Sequence, residues 1–367
     1  MWPVTHRARW FVSVSVLLMA ALAVAWLAPR LGLLDAPPEL REEEPRLPSF
    51  DAATAWLNGG PLTSDSLRGR TTVIMVWSDT DPRSLRALPE VESWHRAYAR
   101  FGVRVIGVLA PDYTFGTDID VARATARRLG LTFPIALDPA YAIRAQLARA
   151  GERPSVVVAD TLGRIVHHAG GSDLGGVDHA IRAQLRKVHP ALFPVEPDPV
   201  PAMGEPSPEP RFVFLGASRV EEGPLANSVA GHAQTFTTQF RFQEEGKSYV
   251  PYPVGRWTPE AEGLRASRGG AANYVAVRYD GGHALAVLGP PSTRAVRVWV
   301  LGGDDWLPRE ALGDDVRLDA RGASYLDVTE PRLYSIARGG AQVLRLSPDD
   351  MGFVIHAFVF EPSSPGS

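Results

Sequence analysis

The feature that most constrains the fold is an apolar segment that passes through a short polar turn into an amphipathic helix. Residues 72–77 read Thr-Val-Ile-Met-Val-Trp, a run typical of a strand buried on both faces. Six polar or turn residues follow, and apolar side chains then recur at helical spacing over 84–101. Asp81 before Pro82 is a typical helix start, with the aspartate as N-cap and the proline in the first turn. The segment predicts a β-strand followed directly by a helix.

Strands and helices continue to alternate up to residue 188. Short apolar segments predict strands, and longer segments with a helical period predict helices. The strands are expected at 103–109, 133–138, 155–159 and 165–168, and the helices at 119–129, 141–150 and 177–188. This alternation predicts an α/β fold in which helices cover a central sheet.

Composition removes several classes of function. The chain has 367 residues and no cysteine, which excludes disulfides, cysteine-ligated metals and thiol chemistry. Its net charge of -3 gives no general indication of nucleic-acid binding. His167 and His168 are adjacent on a predicted strand and so point to opposite faces, which does not favour a metal site. We expect no metal and no cofactor.

Over about residues 47–188 the sequence resembles the TlpA/ResA-like branch of the thioredoxin family. The resemblance is carried by Leu67-Arg-Gly-Arg70, Leu131-Thr-Phe-Pro-Ile-Ala-Leu-Asp-Pro139 and Gly151-Glu-Arg-Pro-Ser-Val-Val-Val-Ala-Asp160. In that family a Cys-x-x-Cys motif opens the helix, and its two cysteine positions here are Asp81 and Ser84. The resemblance further implies a cis Arg153–Pro154 peptide bond beside these two residues.

This degenerate site allows two interpretations. As a binding site, a groove beside Pro154 would hold an extended polypeptide, with Trp77 and Arg153 as contacts. As a structural element, Asp81 only caps the helix. A serine nucleophile needs a base within hydrogen-bond reach, and no histidine lies near Ser84 in the sequence. No catalytic residue is therefore predicted.

After a proline-rich linker at 189–210, the predicted secondary structure changes from alternating strands and helices to strands alone. Short strands with glycine-rich turns follow over 211–362, and segments 272–288 and 332–346 each predict a hairpin. The pattern predicts a β-sandwich of jelly-roll kind. It resembles the carbohydrate-binding-like C-terminal module of DipZ-type extracytoplasmic thioredoxin proteins. Trp257 and Trp306, with Tyr249, Tyr252 and Trp299, are candidates for a sugar-stacking surface, although aromatic residues in sandwiches more often fill the core.

The N-terminal segment predicts export. Residues 10–27 are uncharged and apolar, just long enough to cross a bilayer, and Arg7 and Arg9 precede them. We expect a membrane anchor within 1–34, an acidic proline-rich stalk at 35–48, extracytoplasmic domains at 49–188 and 211–362, and a tail at 363–367. The alternative is a cleaved signal peptide, because Ala23-Val-Ala25 fits a cleavage site. Either outcome places the domains outside the cytoplasm.

Taken together, the residues predict a membrane-anchored, non-enzymatic binding or scaffold protein of the cell envelope, with a protein or glycan partner and no nucleic acid. The alternative is a divergent thiol-disulfide oxidoreductase relative that serves as accessory subunit to a cysteine-bearing redox partner.

Overall fold

The first domain contains one six-stranded mixed sheet. In the computed structural model the described residues are 45–148, 152–171, 174–191, 209–220, 222–237, 247–291, 294–339 and 343–362. The strands are β1 (Ala55–Leu57), β2 (Thr72–Trp77), β3 (Arg104–Leu109), β4 (Ile135–Leu137), β5 (Ser155–Ala159) and β6 (Ile165–Gly170). Their order is β1-β4-β3-β2-β5-β6, with β2, β3 and β4 mutually parallel and the other pairings antiparallel. The predicted α/β fold is confirmed.

Helices cover both faces of this sheet. They are α1 (Ser64–Leu67), α2 (Pro82–Tyr98), α3 (Ile119–Arg128), α4 (Arg144–Leu147) and α5 (Val177–Val188). One apolar cluster packs α2, α3 and α5 on one side, where Trp94 is fully buried. The other face packs α4 and the segment around Phe50. The predicted helix at 141–150 is shorter, because Asp138 accepts backbone hydrogen bonds from Ala142 and Arg144 and turns the chain there.

The second domain is entirely β. Its strands are β7 (Arg211–Phe214), β8 (Gln234–Thr237), β9 (Pro251–Pro259), β10 (Leu264–Ala266), β11 (Tyr274–Arg278), β12 (His283–Gly289), β13 (Val296–Gly302), β14 (Asp305–Trp306), β15 (Arg317–Leu318), β16 (Ser324–Val328), β17 (Arg332–Arg338), β18 (Val343–Pro348) and β19 (Val354–Glu361). They form one continuous path, β15-β16-β13-β18-β11-β9-β10-β19-β12-β17, with β7, β8 and β14 beside it. The two ends of the path share one apolar core, which makes a β-sandwich.

Neither predicted hairpin forms. Strand β11 pairs with β9 and β18, whereas β12 pairs with β17 and β19, so the Gly281-Gly282 turn connects two strands that three others separate on the path. Strands β17 and β18 are not neighbours either, because β17 pairs with β12 and β18 pairs with β11 and β13. Both glycines of the first turn have positive φ, 92° and 88°, which suits a hairpin turn equally well. Local turn chemistry could not distinguish the two connections.

Several predicted features fall on residues that the structure does not describe. The apolar run at 10–27, most of the stalk, linker residues 192–208 and the tail lie outside the described residues. Within the described part of the chain, no helix has the length and apolarity needed to cross a membrane. From Arg46 onward the chain forms one compact unit.

Candidate functional site

The two residues at the cysteine positions bind each other. Asp81 is the N-cap of α2, and its Oδ2 accepts hydrogen bonds from the backbone N–H of Ser84 at 3.3 Å and from Ser84 Oγ at 2.8 Å. The backbone N–H of Ser78 in turn donates to Ser84 Oγ at 3.3 Å. Both side chains are fully buried. This arrangement satisfies the helix N-terminus from within the chain.

Asp112 organises the polar groups around this corner. Its Oδ2 accepts hydrogen bonds from Ser78 Oγ at 2.6 Å and from Thr80 Oγ1 at 3.2 Å, and its Oδ1 forms an ion pair with Arg153. The sequence-based interpretation missed Asp112. A signal existed, because Asp112 follows β3 and the carboxyl ends of the parallel strands β2 and β3 meet at one edge of the sheet.

Asp79 is a second buried carboxyl group at this edge, and it too was missed. Burial, together with the nearby Asp112 charge, raises the pKa of Asp79 to about 7. Among the described residues its Oδ1 has no hydrogen-bond partner. The loop after β3 approaches closely, since a side chain at Gly116 would lie 3.3 Å from Asp79 Oδ2 and 2.6 Å from Pro111. A charged Asp79 in this position would be poorly compensated.

Arg153, Pro154 and Trp77 occupy different environments. The Arg153–Pro154 bond is cis, as the family resemblance implied. Pro154 is buried, and Arg153 reaches Asp112. Trp77 is only 2% exposed and lies in the core between the sheet and α2. Its side chain packs within the domain, and the expectation that it contacts a ligand stays a prediction. Within the described residues no group of three or more metal-ligating side chains exists.

Residues 45–168 match the AhpC/TSA family. They form a thioredoxin-like redoxin domain. The DipZ proteins of Mycobacterium bovis and Mycobacterium tuberculosis are each 28% identical over 281 residues, covering 68% of this chain. That alignment extends well beyond the redoxin domain, so the chain is homologous to DipZ. It spans 39% of the length of these relatives.

Solved structures of similar proteins match the redoxin domain. A thioredoxin-like protein in the oxidized form is 24% identical, with a TM-score of 0.36, covering 40% of this chain and 98% of that one. A thiol-disulfide isomerase from Corynebacterium glutamicum is 22% identical, with a TM-score of 0.33, covering 39% of this chain and 97% of that one. Peroxiredoxin Q of Xanthomonas campestris is 18% identical, with a TM-score of 0.31, covering 39% and 95%.

The β-sandwich packs against the edge of the redoxin domain that carries Asp81 and Ser84. Leu85, next to Ser84, and Tyr113 and Phe115, just after Asp112, form one apolar cluster with the outer faces of four sandwich strands. The sandwich contributes Phe212, Phe214, Leu285, Val287, Leu333, Ala357 and Val359. The tyrosine and phenylalanine rings also contact His356, with centroids 5.0 and 5.2 Å away. We call this cluster the domain interface.

Polar contacts surround the domain interface. Arg219 Nη2 donates to the backbone oxygen of Asp112 at 3.0 Å, and the backbone N–H of Thr114 donates to Glu262 Oε2 at 2.9 Å. Two arginines beside Ser84 also reach across, Arg83 to Glu209 at 2.8 Å and Arg86 to Glu361. The second domain therefore packs beside this corner, and the groove beside Pro154 stays a prediction.

The two tryptophans of the second domain that were expected to contact a ligand differ in their exposure to solvent. Trp257 is fully buried, and its Nε1 donates to the backbone oxygen of Val254, so it belongs to the sandwich core. Trp306 is 44% exposed. It lies 5.7 Å from Trp299, which in turn lies 5.9 Å from Tyr325, measured between ring centroids. These three rings form an aromatic strip on the outer face of β13, β14 and β16.

Proposed function

We propose that this chain is an exported, membrane-anchored binding or scaffold protein of the cell envelope, in which the redoxin domain has no redox role and serves as a support for the β-sandwich. One observation carries the proposal. The two cysteine positions hold Asp81 and Ser84, which bind each other and are fully buried beside the domain interface.

The chemistry of this corner supports a structural role. Disulfide exchange needs a thiolate, and the chain has no cysteine. Ser84 Oγ donates to a helix-capping carboxylate and accepts a backbone N–H, so its hydrogen bonds are used within the fold. A substrate would also have to displace the domain interface to reach it. An enzyme at this position would need both an activated nucleophile and an open approach.

The aromatic strip supports a binding role for the sandwich. Trp299 and Tyr325 are directly paired across β13 and β16, so their rings share the outward face. Val296, Val298 and Val300 alternate with them and point into the core, which fixes the strand's orientation. Flat, exposed rings stack on the apolar faces of sugar rings as well as on other aromatic groups.

Polar side chains border the aromatic strip. Arg297 lies 4.1 Å above the Tyr325 ring and pairs with Asp327 at 3.0 Å. Asp349 accepts a hydrogen bond from Trp299 Nε1, which holds that ring in place. Rings held this way lose little conformational entropy when a ligand binds. Rings for stacking, with charged groups beside them for hydroxyl hydrogen bonds, favour a glycan as the ligand.

The test is binding of the purified chain to insoluble peptidoglycan and to a soluble mannan. Intrinsic tryptophan fluorescence reports the soluble titration, and co-sedimentation reports the insoluble one. Trp306→Ala and Trp299→Ala should each weaken binding by about tenfold, the loss expected for one stacking ring. Val229→Ala is the matched control, since Val229 is 59% exposed in the same domain. Equal binding by all variants, or none by the parent chain, would remove the glycan from the proposal.

The accessory-subunit alternative draws on the homology to DipZ, whose proteins are more than twice as long as the matched portion. In that case the chain would associate with a cysteine-bearing protein. Crosslinking of the full chain in membranes, followed by identification of captured proteins, distinguishes the two. Recovery of a thiol-disulfide oxidoreductase in stoichiometric amount favours the alternative, and recovery of wall polymer without one favours the scaffold.

A further inference from the structure

The end of the redoxin domain opposite Asp81 and Ser84 is where the chain enters from the stalk. The backbone N–H of Leu47 donates to Gly163 O at 2.9 Å, and that of Gly69 donates to Thr161 O at 2.8 Å. These contacts bring residues 46–47, the turn between β5 and β6, and the segment before β2 together. Strand β2 then runs about 17 Å from this end to the capped corner. We call this surface, residues 46–47, 68–71, 100–102, 160–164 and 185–189, the stalk-side end.

The stalk-side end is rich in exposed positive charge. Four arginines and one lysine are exposed there: Arg46, Arg68, Arg70, Arg100 and Lys187. The acidic groups nearby are fewer. Asp65 pairs with Arg68 at 3.0 Å, where both side chains are at least 75% exposed, and the mostly buried Asp160 pairs with Arg164 at 2.7 Å. Among the described residues, Arg70 and Arg100 form no ion pair. The surface therefore carries a net positive charge.

Apolar side chains project from the same surface. Leu162, at the tip of the turn between β5 and β6, is 64% exposed, and Val188 at the end of α5 is 41% exposed. Phe101, Val188 and Leu185 line a cleft of about 480 Å³ that Arg68, Arg70 and Arg100 border. Exposed apolar residues among arginines are the combination that binds at a lipid interface, where the side chains enter the headgroup region and the cations meet phosphate.

We propose that the stalk-side end rests on an anionic phospholipid surface. The occupant follows from charge and from connectivity, because residues 28–44 join this end directly to the apolar run at 10–27 and can span at most roughly 60 Å. The inference rests on the proposed membrane attachment for that proximity. The sandwich covers the opposite edge of the redoxin domain, so this contact would display the sandwich away from the bilayer.

The absence of cysteine makes the test direct, because one introduced cysteine gives a unique labelling site. The full chain carrying Leu162→Cys is labelled with an environment-sensitive fluorophore and reconstituted in vesicles of phosphatidylcholine, with or without phosphatidylglycerol. Nitroxide-bearing lipids report proximity to the bilayer. We expect strong quenching only in the anionic vesicles, reversed by high salt. A label at Val229→Cys, 59% exposed on the sandwich, should stay unquenched in both.

Charge-reversal variants test the recognition itself. Each arginine near an anionic surface contributes roughly fivefold to binding, so loss of two arginines costs about 25-fold and the charge reversal R68E/R70E should lower the apparent partition coefficient by more than about 25-fold. The matched control is R123E/R127E, on α3 and outside the residues of the stalk-side end, which should change it little. Equal effects of the two pairs, or quenching at Leu162 that ignores lipid charge and salt, would overturn the inference.

Carbonate extraction separates this inference from membrane anchoring. A chain that resists extraction while Leu162 remains unquenched keeps its anchor and disproves the docking. A chain that is extracted, yet binds added anionic vesicles through Leu162, disproves the anchor and retains the docking surface.

Discussion

The hydroxyl of Ser84 donates to Asp81 Oδ2 at 2.8 Å, so the two residues that replace the family's cysteines are hydrogen-bonded partners. The same carboxylate caps α2 through the Ser84 N–H. A pair that satisfies itself needs no ligand, and both side chains are fully buried beside the domain interface. The corner that corresponds to the Cys-x-x-Cys positions of the thioredoxin family is here part of the structural core.

Replacing Asp81 tests the capping role. Asp81→Ala should lower the free energy of unfolding by about 1–2 kcal/mol, because α2 loses its N-cap and the buried Ser84 hydroxyl loses its acceptor. Urea denaturation followed by circular dichroism measures this. Asp81→Asn keeps an oxygen at the cap and should retain most of the stability. Equal loss in both variants would show that the charge toward Arg83, 3.3 Å away, matters more than the cap.

Restoring the cysteines tests whether the corner is closed. The double variant D81C/S84C should form a disulfide on oxidation, because the positions are those of a Cys-x-x-Cys at a helix N-terminus. It should still fail to reduce insulin, since both positions are fully buried. Reaction of the reduced pair with a bulky thiol reagent should be slow.

Opening the domain interface supplies the control for that experiment. Adding Arg219→Ala to D81C/S84C removes the hydrogen bond to the Asp112 backbone and the cation stacked 5.3 Å from the Tyr113 ring. Thiol reactivity should then rise. Rapid reaction and insulin reduction by the double variant alone would show that the sandwich does not close the site.

The raised pKa of Asp79 predicts a pH dependence of stability. Its pKa is about 7 in the folded chain against 3.8 ordinarily, so the folded state holds its proton more tightly than the unfolded state. The corresponding stability is fully present below pH 3.8 and is lost as the pH rises to about 7. Burial and the neighbouring Asp112 charge are the causes, with Arg128 partly opposing them.

Asp79→Asn isolates this contribution, because asparagine stays uncharged. The variant and the parent should have similar stability near pH 4, and the variant should be more stable at pH 8 by a few kcal/mol at most, about 1.4 per unit of pKa shift. Urea denaturation across pH 4–8 measures both. Parallel pH profiles would assign the dependence to other groups and show that Asp79 ionises as an ordinary carboxyl.

The sequence predicted the elements whose determinants are local. Strand β2 at Thr72–Trp77 and helix α5 at Val177–Val188 have the predicted bounds, and Asp81 and Pro82 begin α2 as capping preferences indicate. These features follow from apolar periodicity and from hydrogen bonds between residues close in sequence. Asp79 and Asp112 were not predicted, because their environment comes from loops that meet only in the folded chain.

The sequence analysis also did not predict the domain interface, although the residues of strand β12 indicated a second buried face. Strand β12 is apolar at every position from Ala284 to Leu288. A sandwich strand with one solvent-exposed face would instead alternate between apolar and polar residues. The structure explains this, since Ala284, Ala286 and Leu288 face the sandwich core and Leu285 and Val287 face the redoxin domain. A run without alternation indicates a second buried face, but it does not name the partner.

Tyr113 tests whether the two domains unfold as one. Its ring is 4% exposed, stacks 5.4 Å from Phe115 and contacts His356 of the sandwich. Tyr113→Ala should cost about 3–5 kcal/mol through the cavity it leaves and should split a single calorimetric transition into two. Tyr113→Phe is the matched control: within the described residues the buried hydroxyl has no hydrogen-bond partner, so its removal should be neutral or slightly stabilising. Two transitions already present in the parent chain would mean that the two domains unfold independently. The domain interface would then be weak, and the corner at Asp81 and Ser84 would be accessible for part of the time.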